Sequence, residues 1–242
     1  MPAIFYLTIL FLMTIIGICL RLHRGRVRCR RELAGLARSL QLNYRADDAL
    51  QLARRYRRLT LMREGHDRRT WDLISGPTAQ GAMTCFAYRY EVGFGINRAV
   101  RAWRVAVVET ERPWGRLALR SCRTGQGHHD IWEPSCSEVT LDYGADQRWM
   151  LIGRTGRLPA WFPSALFGRL AGFDWDLHLE LCDHLLALQV PMDDTSDQAK
   201  RLMQALKETV AQLLAAADMP GRHAEPAPSD AQSPQPGGPH AR

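Results

Sequence analysis

Polar and apolar side chains alternate over the eight residues from Asp174 to Leu181. Every second side chain of an extended strand points to the same face, so the polar members of this run would share one face. These members are Asp174, Asp176, His178 and Glu180. Carboxylates beside an imidazole could perform general acid–base catalysis. The simpler interpretation, which we favour, is the solvated face of an antiparallel strand whose other face enters the core.

A second set of side chains could bind a metal ion. It consists of Cys122, His128, His129 and Cys136. Structural zinc sites take paired ligands two to four residues apart. Here the histidines are adjacent, so they do not easily face one tetrahedral centre, and five or six residues separate them from the cysteines. The spacing therefore predicts a surface loop, and we predict no metal site and no cofactor.

The glycines of Gly93-Phe94-Gly95 do not indicate a nucleotide site. A dinucleotide-binding fingerprint leads from a strand into a helix, whereas the residues on both sides of this run alternate as strands do. We therefore predict a hairpin turn at residues 93–97. The sequence also contains no P-loop, no Gly-x-Ser-x-Gly motif and no His-Glu-x-x-His motif. These absences lower the expectation of catalysis.

The first 20 residues carry no charged side chain, and residues 3–20 form an apolar run interrupted only by Thr8, Thr14 and Gly17. Eighteen helical residues rise about 27 Å, against roughly 30 Å for a bilayer's hydrocarbon core. The run lacks the basic N-terminal flank of a cleaved secretory signal. We therefore predict a transmembrane anchor at residues 1–22.

Six arginines follow this run before the first acidic residue, Glu32. They are Arg21, Arg24, Arg26, Arg28, Arg30 and Arg31. Basic residues beside a single apolar span favour the cytoplasmic side, so we predict a single-pass inner-membrane protein whose C-terminal domain is cytoplasmic. The six cysteines form no close pair, which agrees with a reducing compartment. Acylation of Cys19 or Cys29 stays open.

A second group of arginines lies in an apparent amphipathic helix from Asp47 to Leu59. Its members are Arg54, Arg55, Arg57 and Arg58. We favour the solvated back of a packed helix, and anionic lipid headgroups are the second interpretation. Nucleic acid ranks last, because the strands that follow lack exposed aromatic pairs flanked by basic residues. As a hypothesis, both arginine groups contact anionic lipid.

The remaining pattern predicts an α+β fold built on a mostly antiparallel sheet. Period-two segments predict strands at 71–74, 83–92, 102–109, 116–120, 138–141, 148–152, 174–181 and 185–190. A short helix is expected at 164–170, and the run from Thr195 to Ala217 predicts a closing amphipathic helix with a capping box. We divide the chain into an anchor (1–22), a basic juxtamembrane helical segment (23–69), the α+β domain (70–218) and a disordered Pro-rich tail (219–242).

The stretch from Gly76 to Arg120 resembles part of an uncharacterised bacterial family. Its features here are Phe86-Ala87-Tyr88-Arg89-Tyr90, Gly93-Phe94-Gly95-Ile96-Asn97-Arg98 and the valine-rich strand that ends at Glu109. Proteins of this group carry one N-terminal membrane anchor and a cytoplasmic α+β domain of unknown function. The resemblance covers most of residues 32–217 and implies the fold, but no reaction and no site residues.

The sequence thus predicts an interaction or scaffold domain held at the membrane, without catalysis and with an unknown protein partner. The alternative is a membrane-tethered enzyme that uses the polar strand face at 174–180 or the His128-His129 loop.

Overall fold

A computed structural model describes residues 2–48, 50–121, 137–142, 148–153, 157–173, 175–193 and 195–218. Within these ranges it leaves out the side chains of residues 2–5, 8, 22, 137, 138, 140, 142, 148 and 171. The helices are α1 (Pro2–Ser39), α2 (Leu52–Arg55), α3 (Ala165–Ala171) and α4 (Ser196–Ala217). The strands are β1 (Asn43–Asp47), β2 (His66–Thr78), β3 (Gly81–Val92), β4 (Ala99–Glu109), β5 (Arg116–Ser121), β6 (Ser137–Asp142), β7 (Arg148–Gly153), β8 (His178–Cys182) and β9 (Leu185–Pro191).

All nine of these strands join one antiparallel sheet in the order β1-β2-β3-β4-β9-β8-β5-β7-β6. The first four follow one another as a meander, and the β8–β9 hairpin pairs with both halves of the sheet. The prediction of an α+β fold on an antiparallel sheet is therefore confirmed.

Each face of the sheet is covered by a different part of the chain. The C-terminal half of α1 packs with α3 and α4 on one face, where Met83 and Cys85 of β3 are buried. The segment from Leu52 to Met62 covers the other face and buries Phe86 and Tyr88 of the same strand. Because neighbouring strand residues point to opposite faces, the side chains of β3 enter both clusters.

Helix α1 continues without a break from the apolar run into the folded domain. Leu33 and Ala37 are fully buried against the sheet, and Leu36 and Leu40 are partly buried beside them. One helix therefore connects the two regions. Residues 43–47, from the segment assigned to a juxtamembrane element, form the edge strand of the same sheet.

The helix predicted from Asp47 to Leu59 is wrong. Asp47 ends strand β1, which pairs with β2, and the helical part is the single turn of α2. A left-handed Gln51 (φ 49°) precedes that turn, and the Asp48 carboxylate accepts a hydrogen bond from Leu52 N–H. Strand pairing along an exposed edge outweighs the local helical periodicity. The apolar face was nevertheless read correctly, because Leu52, Tyr56 and Leu59 are buried.

The closing helix α4 begins and ends as its sequence predicts. Thr195 Oγ1 accepts a hydrogen bond from Gln198 N–H, which is the first half of a capping box. The Gln198 side chain does not return to the backbone of Thr195. It donates to Pro191 O and accepts from Asp193 N–H, and so ties the helix to the end of β9.

Across the residues that the structure describes, no helix has the length and apolar content needed to cross a membrane. The loop at 122–136 and the tail at 219–242 lie outside the described residues, as do the predictions made for them.

Candidate functional site

The polar face of strand β8 is buried, which corrects the prediction of a solvated face. His178 and Glu180 expose only 9% and 3% of their surfaces. The alternation was read correctly, since Leu179 and Leu181 enter the core on the opposite face. Sequence alternation does not reveal that the segment containing Thr60 lies over the polar face.

Glu180 accepts hydrogen bonds on both carboxylate oxygens. Thr60 donates its backbone N–H and its hydroxyl to Oε1, each over 2.9 Å. Gln189 Nε2 donates to Oε2 from strand β9, over 3.2 Å. Burial raises the pKa of Glu180 above its usual range, although these hydrogen bonds and the charge of Arg116 oppose the shift.

Of the four polar residues, the structure places His178 and Glu180 on strand β8. His178 lies on the same face as Glu180, and its ring is tilted against Trp103 with centroids 5.0 Å apart. Asp176 precedes the strand, and Asp174 lies outside the described residues. Because protein donors already occupy both oxygens of Glu180, the cluster fixes Thr60 to the sheet and presents no open carboxylate to a substrate.

The second arginine group lies at the end of the sheet that contains the β8–β9 turn. Arg55 pairs with Glu109 (2.7 Å), the last residue of β4, and Arg58 pairs with Asp183 (2.6 Å) in that turn. Arg54 and Arg57 are exposed. Two members of the group therefore form ion pairs within the protein.

The first arginine group lies on α1 just before the part of the helix that is buried against the sheet. All six of its members are exposed. Arg28 pairs with Glu32 one turn later (2.8 Å), and Arg30 pairs with Asp72 of β2 (3.4 Å). Tyr44 donates its hydroxyl to the same Asp72. Through Asp72, these contacts connect the middle of α1 to β1 and β2.

Arg104 of β4 is a buried cation that no sequence pattern singles out. Its side chain is fully buried, and its strand pairs with β3 on one side and β9 on the other. None of its three guanidinium nitrogens has a hydrogen-bond partner among the described residues. A buried charge without a partner is costly.

The β3–β4 hairpin carries exposed apolar side chains at its tip. Phe94 exposes 80% of its surface, and Ile96 is fully exposed. The tip has a defined shape: His66 Nε2–H donates to Gly93 O over 2.9 Å, and the His66 ring stacks on Phe94 with centroids 4.7 Å apart. The sequence predicted the turn but assigned it no role.

A cavity of about 450 Å³ lies between the end of α1 and helix α4. Its apolar wall includes Leu36, Leu40, Phe173 and Met203, and Lys200 lies at its edge. The described residues contain no group of three or more side chains able to hold a metal ion. The Cys122, His128, His129 and Cys136 set lies outside them.

Comparison with known proteins gives one informative result. No protein-family model and no curated protein matches the chain. Among solved structures, the mycobacterial trehalose monomycolate transport factor A, TtfA, has a similar fold, with a TM-score of 0.54 and 11% sequence identity. The match covers 76% of this chain and 94% of TtfA. This likeness concerns the fold alone.

Proposed function

We propose that this chain is a membrane-anchored interaction domain without catalysis, mounted on the cytoplasmic side of a bacterial inner membrane. The observation that carries the proposal is the exposed apolar surface of α1. Ten large hydrophobic side chains between Leu7 and Leu20 expose 41–68% of their surfaces, and among the side chains of α1 that the structure describes the first buried one is Leu33. A helix that exposes apolar side chains on all sides is stabilised by lipid or by another apolar surface.

The sequence supports lipid as that surface. The apolar run includes residues 3–5 and 8, whose side chains the structure does not describe, and the exposed arginines follow it at once. Because α1 is continuous and its last turns are buried against the sheet, the anchor and the domain form one mechanical unit. Such a helix would position the sheet at the membrane surface.

The absence of an open catalytic constellation in the described residues supports a binding role. Both oxygens of Glu180 serve Thr60 and Gln189, so the best acid–base candidate performs a structural task. TtfA is a trehalose monomycolate transport factor, and by analogy we extend an accessory role in transport to this chain. The partner that we expect is a protein.

Cysteine labelling tests the orientation of the full chain. Ala79, in the β2–β3 turn, is exposed, and an Ala79→Cys variant would offer an accessible thiol there. A membrane-impermeant thiol reagent should label this variant only after the cells are permeabilised, and the unmodified chain controls for the native thiols. Labelling of intact cells would contradict the cytoplasmic assignment.

Crosslinking tests the role of the domain. Isolation of the full chain from crosslinked membranes should recover a protein partner in stoichiometric amount. A bound metabolite or metal in place of that partner would favour the membrane-tethered enzyme instead.

A further inference from the structure

The apolar half of α1 and the β3–β4 hairpin leave the sheet from the same end. Arg30 of α1 pairs with Asp72, whereas Leu42, just beyond the helix, packs on Gly76 further along β2. Helix α1 therefore runs in the direction of β2, and its N-terminal part extends past the start of that strand. The first residue of β2, His66, pairs with Glu91 beside the hairpin.

The start of α4 provides a second reference point. Ser196 Oγ donates to Glu32 of α1 over 2.7 Å, and Met192 N–H, four residues earlier, donates to Ala102 O of β4. Three strand residues and the turn separate Ala102 from the hairpin tip, a distance of roughly 15 Å along the strand. From Glu32 back to Arg21 are 11 helical residues, roughly 16 Å. The tip thus reaches about the level at which the apolar run of α1 meets its arginines.

The hairpin combines exposed apolar side chains with nearby basic ones, as protein segments that contact a membrane surface do. Phe94 and Ile96 project at its tip, and Val100 on its flank exposes 54% of its surface. Five arginines and two acidic residues occupy residues 66–70 and 89–101, the hairpin and the strand ends beside it. Glu91 pairs with Arg98 and Arg89, which leaves this end of the sheet basic. Apolar tips backed by arginines suit the boundary between anionic headgroups and acyl chains.

We propose that the β3–β4 hairpin inserts Phe94 and Ile96 into the headgroup region of the same leaflet that α1 enters. The occupant of this surface is an anionic phospholipid bilayer. The inference rests on the proposed anchoring by α1 and adds a second attachment point. Helix and hairpin together fix the tilt of the sheet, so the opposite end, with Glu109 and Asp183, faces away from the membrane and is free for a partner.

The test uses the full chain reconstituted in vesicles of phosphatidylcholine with or without phosphatidylglycerol. Phe94 is replaced by the photoreactive p-benzoyl-phenylalanine, and the control carries it at Ala79, exposed in the turn at the opposite end of the sheet. Illumination should yield lipid adducts from position 94 and not from position 79, in higher yield with phosphatidylglycerol. A second variant carries the photoreactive residue at position 100 in place of Val100. Adding Phe94→Ser and Ile96→Ser to this variant should reduce the lipid adducts from position 100 several-fold.

The outcomes separate the two proposals. If position 94 gives no lipid adducts while the protein resists alkaline extraction, the hairpin inference is wrong and the anchor stays supported. A protein adduct at position 94 in native membranes, without lipid adducts, would assign the tip to a protein partner and also overturn it. Release of the full chain from the vesicles by alkaline extraction would overturn the anchor and the inference that rests on it.

Discussion

Thr60 donates both its backbone N–H and its hydroxyl to the buried carboxylate of Glu180, 120 residues later in the chain. This contact fastens the segment that carries α2 to the centre of the sheet. It also replaces the solvated strand face expected from the sequence with a closed polar cluster. The cluster belongs to the architecture of the domain, and its energetics should depend on pH.

The stability of the wild type relative to Glu180→Gln should fall as pH rises. Burial raises the pKa of Glu180 in the folded state above the unfolded value of about 4.3, so the folded protein binds more protons between those two values. The stabilisation is therefore complete below pH 4 and is lost as pH rises through the folded pKa. Urea unfolding of the detergent-solubilised chain at a series of pH values measures the difference. The exposed Glu111→Gln is the matched control, and a constant difference for Glu180→Gln would contradict the prediction.

Arg104→Met should stabilise the domain. The substitution removes a fully buried guanidinium that has no hydrogen-bond partner among the described residues and retains most of its apolar volume. Replacement of buried ion pairs by apolar residues of similar volume is often neutral or stabilising by about 1–4 kcal/mol. Because a single buried charge is also costly, we expect a stabilisation of about 1 kcal/mol or more here. Arg101→Met, three residues away on the same strand, should change the free energy of unfolding by less than about 0.5 kcal/mol. Destabilisation by several kcal/mol at position 104 would mean that the guanidinium has an anionic partner.

Gly93→Ala should damage the hairpin more than Gly95→Ala. Both glycines have positive φ, +74° and +60°, but a Cβ at position 93 would lie 2.4 Å from Asn97 O, and one at position 95 would meet no atom within 4 Å. The left-handed backbone alone costs an L-residue roughly 1–2 kcal/mol. We expect that cost at position 95 and a larger one at position 93, measured by urea unfolding. Equal costs would show that the turn relaxes around the added methyl group.

The two arginine groups should differ in their contact with lipid. Arg24 lies on α1 just beyond the apolar run, whereas Arg57 lies near the β8–β9 turn, at the end of the sheet away from the hairpin. A photoreactive residue at position 24 of the full chain in anionic vesicles should give lipid adducts, and one at position 57 should not. Strong lipid adducts from position 57 would restore the hypothesis that the second group contacts the membrane.

The sequence predicted the elements whose patterns are local. The period of two in β3 and β4, the stripe of α4 and the cap at Thr195 all depend on neighbours within a few residues. The prediction failed at β1, because pairing with β2 depends on residues about 30 positions away. It also failed for the polar face of β8, since alternation identifies residues that share a face but does not say what covers that face. The burial of Arg104 and the role that we propose for the hairpin tip follow from tertiary placement, for which no local signal exists.

We propose that α1 holds the domain at the membrane through its apolar half. Alkaline carbonate extraction of membranes from cells that produce the full chain tests it directly, with Leu10→Arg/Ile16→Arg as the comparison. Each arginine at the centre of a spanning helix costs about 2.5–3.5 kcal/mol of insertion free energy. If α1 is the anchor, we expect the wild type to stay in the membrane pellet and the double variant to move to the soluble fraction. Recovery of the wild type in the soluble fraction would contradict it.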